Sequence, residues 1–301
     1  MRLALAAVLA ALCALPAALP ARAQEIALTF DDLPAHSALP KGETRVGVAR
    51  AILKALRKAE APAFGFVNGV QTEREPGSDR VLTLWRAAGH PLGNHTWSHL
   101  RLTADSADAF EADVLENEPL LEARMGQADW RWFRYPYLAE GETPAVRDRA
   151  RAFLKGRGYR IASVTLDFAD WAYNEPYARC RDKGDEAAIA ALEARYLASA
   201  VESLERTRAL SQRLYGRDIP YVLLMHLGAF DARMAPRLLA LYRSKGVRFV
   251  NLADAEADPF YRSDVEITPT SEPLTLEAEA RRRGIAPAPA PPIADLAALC
   301  R

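Results

Sequence analysis

The feature that most constrains the fold of this 301-residue chain is a regular alternation of short apolar runs with longer segments of helical periodicity. Short apolar runs are typical of buried strands, and the longer segments have the spacing of amphipathic helices. This alternation favours a parallel α/β architecture, and about seven units suit a (β/α) barrel better than an open sheet. The predicted strands are 25–30, 62–67, 91–94, 131–135, 159–166, 220–226 and 247–251, and the predicted helices are about 44–60, 79–89, 105–125, 143–157, 185–215 and 232–245.

The first residues have the pattern of an export signal. Arg2 precedes an almost entirely apolar stretch, 3–20, which ends in small residues before Ala23. This pattern predicts a secretory signal peptide, residues 1–23, that is cleaved after Ala23. An uncleaved membrane anchor is the alternative, but Pro16 and Pro20 interrupt the segment and it is short for a span. No later segment predicts a transmembrane helix.

The charge balance excludes one class of partner. The whole chain has 39 basic and 39 acidic residues, and removal of Arg2 and Arg22 with the signal leaves 37 basic residues, a net charge of −2. Nucleic-acid binding requires a strongly basic surface, because the phosphate backbone dominates affinity. The composition therefore predicts an exported, slightly acidic protein that does not bind nucleic acid.

Two cysteines and a distinct C-terminal segment shape the domain organisation. Cys13 lies in the signal peptide, so Cys180 and Cys300 remain, and an oxidising compartment allows them to form a disulfide or stay as free thiols. Residues 24–255 form the predicted main domain. The Pro-rich segment 256–301 is predicted to be a strap or tail that packs on it.

Two groups of polar residues at predicted strand ends indicate a metal site. Asp31 and Asp32 directly follow an apolar run, and adjacent carboxylates are costly to place together unless a cation or proton lies between them. His95 and His99 have the i, i+4 spacing that places both imidazoles on one face of a helical turn, as zinc ligation requires. A turn or cap for the acids and two unrelated surface histidines are the alternatives. One carboxylate with two imidazoles leaves positions open for water and substrate, as in a catalytic metal site.

Three later groups supply further chemistry. Arg134 in an apolar strand needs a carboxylate partner if it is buried, and the following proline could present the Tyr137 N–H to an oxyanion. Asp170 could orient Arg134, and Trp171 could stack on a sugar. His226 closes an apolar strand and would serve as a general acid, although such a histidine is more often a capping or core residue.

The five groups, taken in order, resemble the five motifs of the polysaccharide deacetylase (NodB-homology) family of carbohydrate esterases. The resemblance covers roughly residues 25–252. It implies a deformed (β/α) barrel and a metal-dependent hydrolase that removes N-acetyl groups from an amino-sugar glycan. The motifs in this chain are TFDD at 29–32, HTWSH at 95–99, RYPY at 134–137, DFADW at 167–171 and LLMH at 223–226.

The resemblance also implies a role for individual residues. Asp31 would be the catalytic base and His226 the general acid. A divalent ion, zinc on chemical grounds, would polarise the amide carbonyl and activate the water that attacks it. The remaining implied roles are the metal ligands Asp32, His95 and His99, the oxyanion donor Tyr137, the acetyl-pocket residues Trp171 and Leu223, and Arg134, which would tune Asp31 and be held by Asp170.

The chain departs from the family pattern at one turn, which leaves the substrate open. Leu33 stands where family members commonly have glycine after the two acids, and it could narrow the groove for a polymer. Peptidoglycan, a chitin-like oligomer and an exopolysaccharide all remain candidates. A glycan-binding pseudoenzyme is one alternative, and an O-acetyl esterase or non-sugar amidohydrolase is another. His36 is a candidate substrate contact, whereas His90 is predicted to be a turn or surface residue.

Overall fold

The computed structural model describes residues 24–270, 272–290, 292–293 and 295–301. The predicted signal peptide, residues 1–23, lies outside this range. Within the described residues, seven parallel strands form one sheet. They are β1 (Gln24–Leu33), β2 (Ala63–Val67), β3 (Leu92–Asn94), β4 (Trp132–Phe133), β5 (Arg160–Ile161), β6 (Tyr221–His226) and β7 (Val247–Val250). Each lies where the sequence predicts a strand.

Helices connect and cover the strands. The six predicted helices are present, together with five further α-helices among the described residues. The longest of the five lies after β5 and is partly buried, and the sequence did not predict it because its few apolar residues give little periodicity. Among the described residues, no helix is long and apolar enough to cross a bilayer. The helices are α1 (Arg45–Lys58), α2 (Gln71–Arg74), α3 (Asp79–Ala87), α4 (Ala107–Met125), α5 (Pro144–Gly156), the unpredicted α6 (Asn174–Lys183), α7 (Glu186–Tyr215), α8 (Ala229–Ser244), α9 (Leu252–Ala255), α10 (Arg262–Val265) and α11 (Leu276–Arg282).

The sheet curls until its two ends meet. Its strand order is β5-β4-β3-β2-β1-β6, and β7 pairs with the first residues of β1. The segment after β5 pairs with β6 through an isolated parallel bridge between Leu166 and Leu223. The predicted α/β barrel with about seven strands is therefore confirmed in a deformed form, in which short strands and one isolated bridge replace a regular closed ladder.

Strand β1 lies at the centre of this arrangement. Ile26, Leu28 and Phe30 are buried, and so are the residues between them. Burial on both faces explains why the strand reads as a continuous apolar run. Because parallel strands end at the same edge of a sheet, the polar residues at or just after the ends of β1, β3, β4 and β6 are gathered at one edge.

The C-terminal segment packs along α6 and α7. Cys300 forms a disulfide with Cys180 of α6, with 5.1 Å between their Cα atoms. Arg179 of α6 donates hydrogen bonds to the carbonyls of Ala297 and Leu299, at 3.0 and 3.2 Å. The chain end is thus held by a covalent bond and by backbone contacts.

A buried ion cluster joins this segment to the barrel wall. Arg151 of α5 donates to the carboxylates of Glu140 and Asp264, with N–O distances of 2.9 and 2.6 Å. It also donates to the carbonyls of Ser263 and Thr268, both at 3.2 Å. All three charged side chains are buried, so Arg151 pairs with two carboxylates and fixes α10 against α5.

Loss of this cation should destabilise the protein strongly. We expect Arg151→Met to lower the free energy of unfolding by about 3–5 kcal/mol, because two carboxylates remain buried without their partner. Arg149, on the same helix, also pairs with two carboxylates, those of Asp108 and Glu111, but at the surface. Arg149→Met should therefore change stability far less in urea unfolding. Equal losses in the two variants would contradict this account of the cluster.

Candidate active site

The two adjacent acids at the end of β1 face different surroundings. Asp31 is still in register with β6, opposite His226, and its side chain is buried. At Asp32 the backbone turns into the left-handed region, with φ of 59°. Such a conformation is uncommon for a residue other than glycine. The turn separates the two carboxylates, so they can serve different partners.

The partner of Asp31 is the buried guanidinium of Arg134, which is 1% exposed. Its Nη1 donates to both carboxylate oxygens of Asp31, at 3.2 and 3.3 Å. Its Nη2 donates to Thr29 Oγ1 at 3.1 Å, and its Nε donates to the carbonyl of Ala162 at 2.6 Å. The guanidinium carbon also lies 4.7 Å from the centre of the Phe66 ring. A buried cation so placed compensates the charge of Asp31.

The predicted pairing of Arg134 with Asp170 is wrong. The carboxylate of Asp170 accepts hydrogen bonds from the backbone N–H of His226 at 2.6 Å and from its ring Nδ1 at 2.9 Å. The reason lies in the barrel closure, since the bridge of Leu166 to Leu223 places the following residues beside the end of β6. Asp170 therefore orients the candidate acid rather than the arginine.

Asp32 and two histidines form a group that fits a metal ion. The Asp32 Oδ1 atom lies 3.5 Å from His95 Nε2 and 3.4 Å from His99 Nε2. Ligand atoms bound tetrahedrally at about 2.0–2.1 Å stand about 3.3 Å apart, close to these spacings. Among the described residues this oxygen is buried and has no hydrogen-bond partner. A buried carboxylate oxygen without a donor is the kind of atom that a cation satisfies.

The spacing of the two histidines predicts a helical turn, but the structure has no helix at these residues. They occupy the loop after β3, and φ is positive at Thr96 and at His99, 63° and 64°. His95 is oriented by its Nδ1 atom, which lies 2.7 Å from the carbonyl oxygen of Arg134. A carbonyl oxygen can only accept, so Nδ1 carries the proton and Nε2 keeps its lone pair for a ligand.

Polar residues that sequence reasoning missed hold this loop in place. The Asn94 side-chain oxygen accepts from the Thr96 N–H at 2.8 Å and from the Asn117 amide at 3.0 Å. The Asp113 carboxylate accepts from the Ser98 N–H at 3.0 Å. Asp113 and Asn117 are buried on one face of α4. The sequence does contain a signal for Asp113 and Asn117. They are polar residues at i, i+4 spacing on the helix face that otherwise carries apolar residues.

His36 lies inside the cluster, on the other side of Asp32. Its Nδ1 atom is 2.9 Å from Asp32 Oδ2, and its ring centre is 4.4 Å from that of His226. The predicted contact with substrate stays a prediction. His90 instead packs its ring 5.2 Å from that of Trp85, at the opposite end of the sheet.

The electrostatics of the group favour metal ligation at neutral pH. Burial opposes ionisation of Asp32, but the hydrogen bond from His36 and the nearby imidazoles outweigh it and hold its pKa well below the usual range. Burial, and to a smaller extent the neighbouring imidazole of His95, lower the pKa of His99 to about 4. An anionic carboxylate beside a neutral imidazole is the state that binds a cation.

His226 has the opposite tendency. Burial alone would lower the pKa of His226, but the charge and hydrogen bond of Asp170, together with the charges of Asp32 and Asp31, raise it to about 10. The imidazole is therefore held as a proton donor. A histidine whose proton is retained beside a carboxylate is suited to protonate a leaving group.

The remaining predicted residues lie around this cluster. Tyr137 has φ of 58° and its side chain is 60% exposed, with the ring 4.4 Å from that of His99. Trp171, next to Asp170, is 47% exposed, whereas Leu223 is fully buried within β6. The structure thus brings Asp31, Asp32, His95, His99 and Arg134 into direct contact, and it joins His226 to Asp170.

The fold and the site together define a (β/α)-barrel protein with a candidate metal centre at the carboxyl ends of its strands. Residues 19–162 match the family model named polysaccharide deacetylase. This match covers just under half of the chain and confirms the family resemblance of the three motifs that lie within it.

Curated relatives resemble half of this chain. A peptidoglycan-N-acetylglucosamine deacetylase from Bacillus cereus is 28% identical over 152 residues, which cover 50% of this chain and 48% of that protein. A chitin deacetylase from a Pestalotiopsis species is 28% identical over 149 residues, 50% of this chain and 44% of that protein. The chain thus matches about half the length of these relatives.

Solved structures share the fold over most of the chain. A CE4-family pseudoenzyme from Bacillus anthracis has a TM-score of 0.55 at 17% identity, covering 78% of this chain and 66% of that chain. A chitin deacetylase from the fungal pathogen Colletotrichum lindemuthianum has a TM-score of 0.52 at 22% identity, covering 77% of this chain and 87% of that chain. Since one neighbour is a pseudoenzyme, activity must be argued from the site.

The hydrogen-bond network that holds the histidine loop can be tested by measuring the stability of the protein. We expect Asn94→Ala to lower the free energy of unfolding by about 1–3 kcal/mol, because it leaves buried donors and acceptors without partners. Asn251 is exposed and provides a matched control. Asn251→Ala should change stability by less than about 0.5 kcal/mol in the same urea titration. Equal effects would show that the Asn94 network does not support the loop.

Proposed function

We propose that this protein is a metal-dependent hydrolase that removes N-acetyl groups from an amino-sugar glycan. The observation that carries the proposal is the convergence of Asp32, His95 and His99, with an unpartnered carboxylate oxygen between two imidazole nitrogens. Two further residues lie beside this group. Asp31 is paired with Arg134, and His226 is paired with Asp170. A base, an acid and a metal site are the parts that amide hydrolysis needs.

The names of the relatives support the substrate class. Proteins similar to half of this chain are named peptidoglycan-N-acetylglucosamine and chitin deacetylases. Both names specify an N-acetylated amino sugar, and we propose this class, in peptidoglycan, a chitin-like oligomer or an exopolysaccharide, as the substrate. Leu33 at the turn after the two acids is buried, so it would affect the groove through the backbone rather than by projecting into it.

The ligands support zinc as the metal. Two imidazoles and one carboxylate suit zinc, and three protein ligands leave a position for water or substrate. When bound, such an ion would polarise the acetyl carbonyl and lower the pKa of a water molecule. His95 and Asp32 are prepared for it by their neighbours, since hydrogen bonds from outside the group orient both side chains.

Two residues would move the protons. Asp31, whose charge is compensated by Arg134, would take a proton from the attacking water. His226, held by Asp170, would give its proton to the nitrogen of the departing amino sugar. The products are acetate and a free amine. An amine leaves poorly without a proton, so this last transfer is essential for an amide substrate.

Exposed groups at the rim would bind the substrate. The Tyr137 N–H is proposed to stabilise the oxyanion, because the residue has a positive φ and its ring lies beside that of the candidate metal ligand His99. The exposed Trp171 offers an aromatic face to a sugar ring. Leu223 is buried, so its contribution to the acetyl pocket would come from the inner wall of the barrel.

We also propose an exported protein with one catalytic domain. Residues 1–23 would be removed as a signal peptide, residues 24–255 would form the catalytic domain, and 256–301 the C-terminal strap. The disulfide of Cys180 with Cys300 supports export, since such bonds persist in oxidising compartments such as the periplasm or the extracellular space.

The first test is acetate release from N-acetylglucosamine oligomers and peptidoglycan by the zinc-loaded protein. We expect activity that a chelator abolishes and that zinc restores. Asp31→Asn should lower the rate at least about 100-fold, because the base is lost. Asp129→Asn, a surface change near the start of β4 at the opposite end of the sheet, is the control and should keep full activity. Undiminished activity in Asp31→Asn would contradict the assigned base.

The acid can be tested by changing the leaving group. We expect His226→Gln to slow hydrolysis of N-acetyl substrates about 10²–10⁴-fold, because the amine must be protonated to leave. An acetyl ester of a phenol has a leaving group that needs no proton, so the same variant should lose much less activity on it. Equal losses on the amide and the ester would contradict the role of His226. Wild-type activity on sugar O-acetyl esters alone would favour the esterase alternative.

A further inference from the structure

A second group of potential ligands lies on the other side of Asp32. Ligand atoms of Asp32, His36 and His226 all lie within 4.8 Å of one another, as do those of Asp32, His95 and His99. The two groups use different oxygens of Asp32, because Oδ1 faces His95 and His99 whereas Oδ2 lies 2.9 Å from His36 Nδ1. In the proposed reaction Asp32 would hold the metal ion through Oδ1, and Oδ2 has no assigned role.

Both histidines of this second group have a nitrogen to offer. His36 faces Asp32 through Nδ1, which lies 2.9 Å from Oδ2, so an ion that replaces the proton between these two atoms would bind both. His226 is bound to Asp170 through Nδ1, which leaves its Nε2 free. The two rings are neighbours, with 4.4 Å between their centres. A carboxylate and two imidazoles make the same ligand set as the first group.

We propose that Asp32, His36 and His226 form a second, weaker site for a divalent cation. Asp32 would then bridge two ions, one on each oxygen. Hydrolases with two metal ions hold them about 3.5–4 Å apart, a separation that one carboxylate can span. The imidazole ligands select ions such as zinc over magnesium or calcium, which prefer oxygen.

The charges explain why the second ion would bind more weakly. Three carboxylates, those of Asp31, Asp32 and Asp170, face one guanidinium, that of Arg134, in this cluster. A divalent ion in the first site would already offset the negative charge that remains in this cluster, so the attraction for a second ion is smaller. It must also displace the proton of His226 from Nε2. Occupancy of the second site therefore requires excess metal.

Binding at this site would inhibit the enzyme. An imidazole whose Nε2 atom is bound to a cation carries no proton there to give to a leaving amine. Deacetylation should accordingly rise as zinc fills the first site and fall as zinc fills the second. This consequence rests on the proposed function, whereas the second site itself does not.

The site is tested by counting bound zinc in equilibrium dialysis followed by atomic emission. We expect two zinc ions per wild-type chain at saturation and one per chain in His36→Gln. Glutamine can still donate a hydrogen bond to Asp32, but its amide does not ligate zinc well. His226→Gln, a second variant, should also bind one ion. His90→Gln, which removes a histidine at the far end of the sheet, should keep two.

Activity provides an independent readout. Excess zinc should inhibit acetate release by the wild-type protein, and His36→Gln should retain its own maximal rate at the same zinc concentration. One ion per wild-type chain at saturation would overturn the second site, and so would two ions in both His36→Gln and His226→Gln. Absence of acetate release from the wild-type protein at every zinc concentration would count against the proposed function, while the dialysis result still decides the site.

Discussion

The guanidinium of Arg134 is buried where the carboxyl ends of the strands converge, and most of the site is arranged around it. It binds Asp31 and Thr29 of β1 and the carbonyl of Ala162 after β5, so one side chain joins distant parts of the barrel. Its own carbonyl oxygen orients His95. A buried cation is tolerated only when its hydrogen bonds are satisfied. The carboxylate of Asp31 is therefore a structural requirement as well as a chemical one.

The turn at Asp32 gives the second acid its separate role. Because the backbone turns at this residue, its carboxylate faces three imidazoles while that of Asp31 stays with the arginine. The histidine loop on the opposite side has strained backbone, which persists because a buried polar network from β3 and α4 holds it. The site is thus rigid on both sides of the position that fits a metal.

The sequence alone was sufficient to predict the strands, most helices and the polar residues that the structure gathers at one edge of the sheet. These predictions depend on local patterns, namely apolar runs and polar residues at strand ends. Contacts between residues that are far apart in the sequence could not be predicted from such local patterns. The partner of Asp170 depends on how the barrel closes, and the loop geometry of His95 and His99 depends on Asn94 and its neighbours. His36 was noticed only as a substrate contact, because the turn that folds it back onto Asp32 has no clear sequence signal.

The proposal on which the other roles depend is that Asp32, His95 and His99 hold a catalytic metal ion. A crystal structure of the protein loaded with one equivalent of zinc, recorded at the zinc absorption edge, tests it directly. The predicted result is a single anomalous peak about 2.0–2.2 Å from Asp32 Oδ1 and from the Nε2 atoms of both histidines. A peak bound elsewhere on the chain, or no ordered zinc at this position, would contradict the claim.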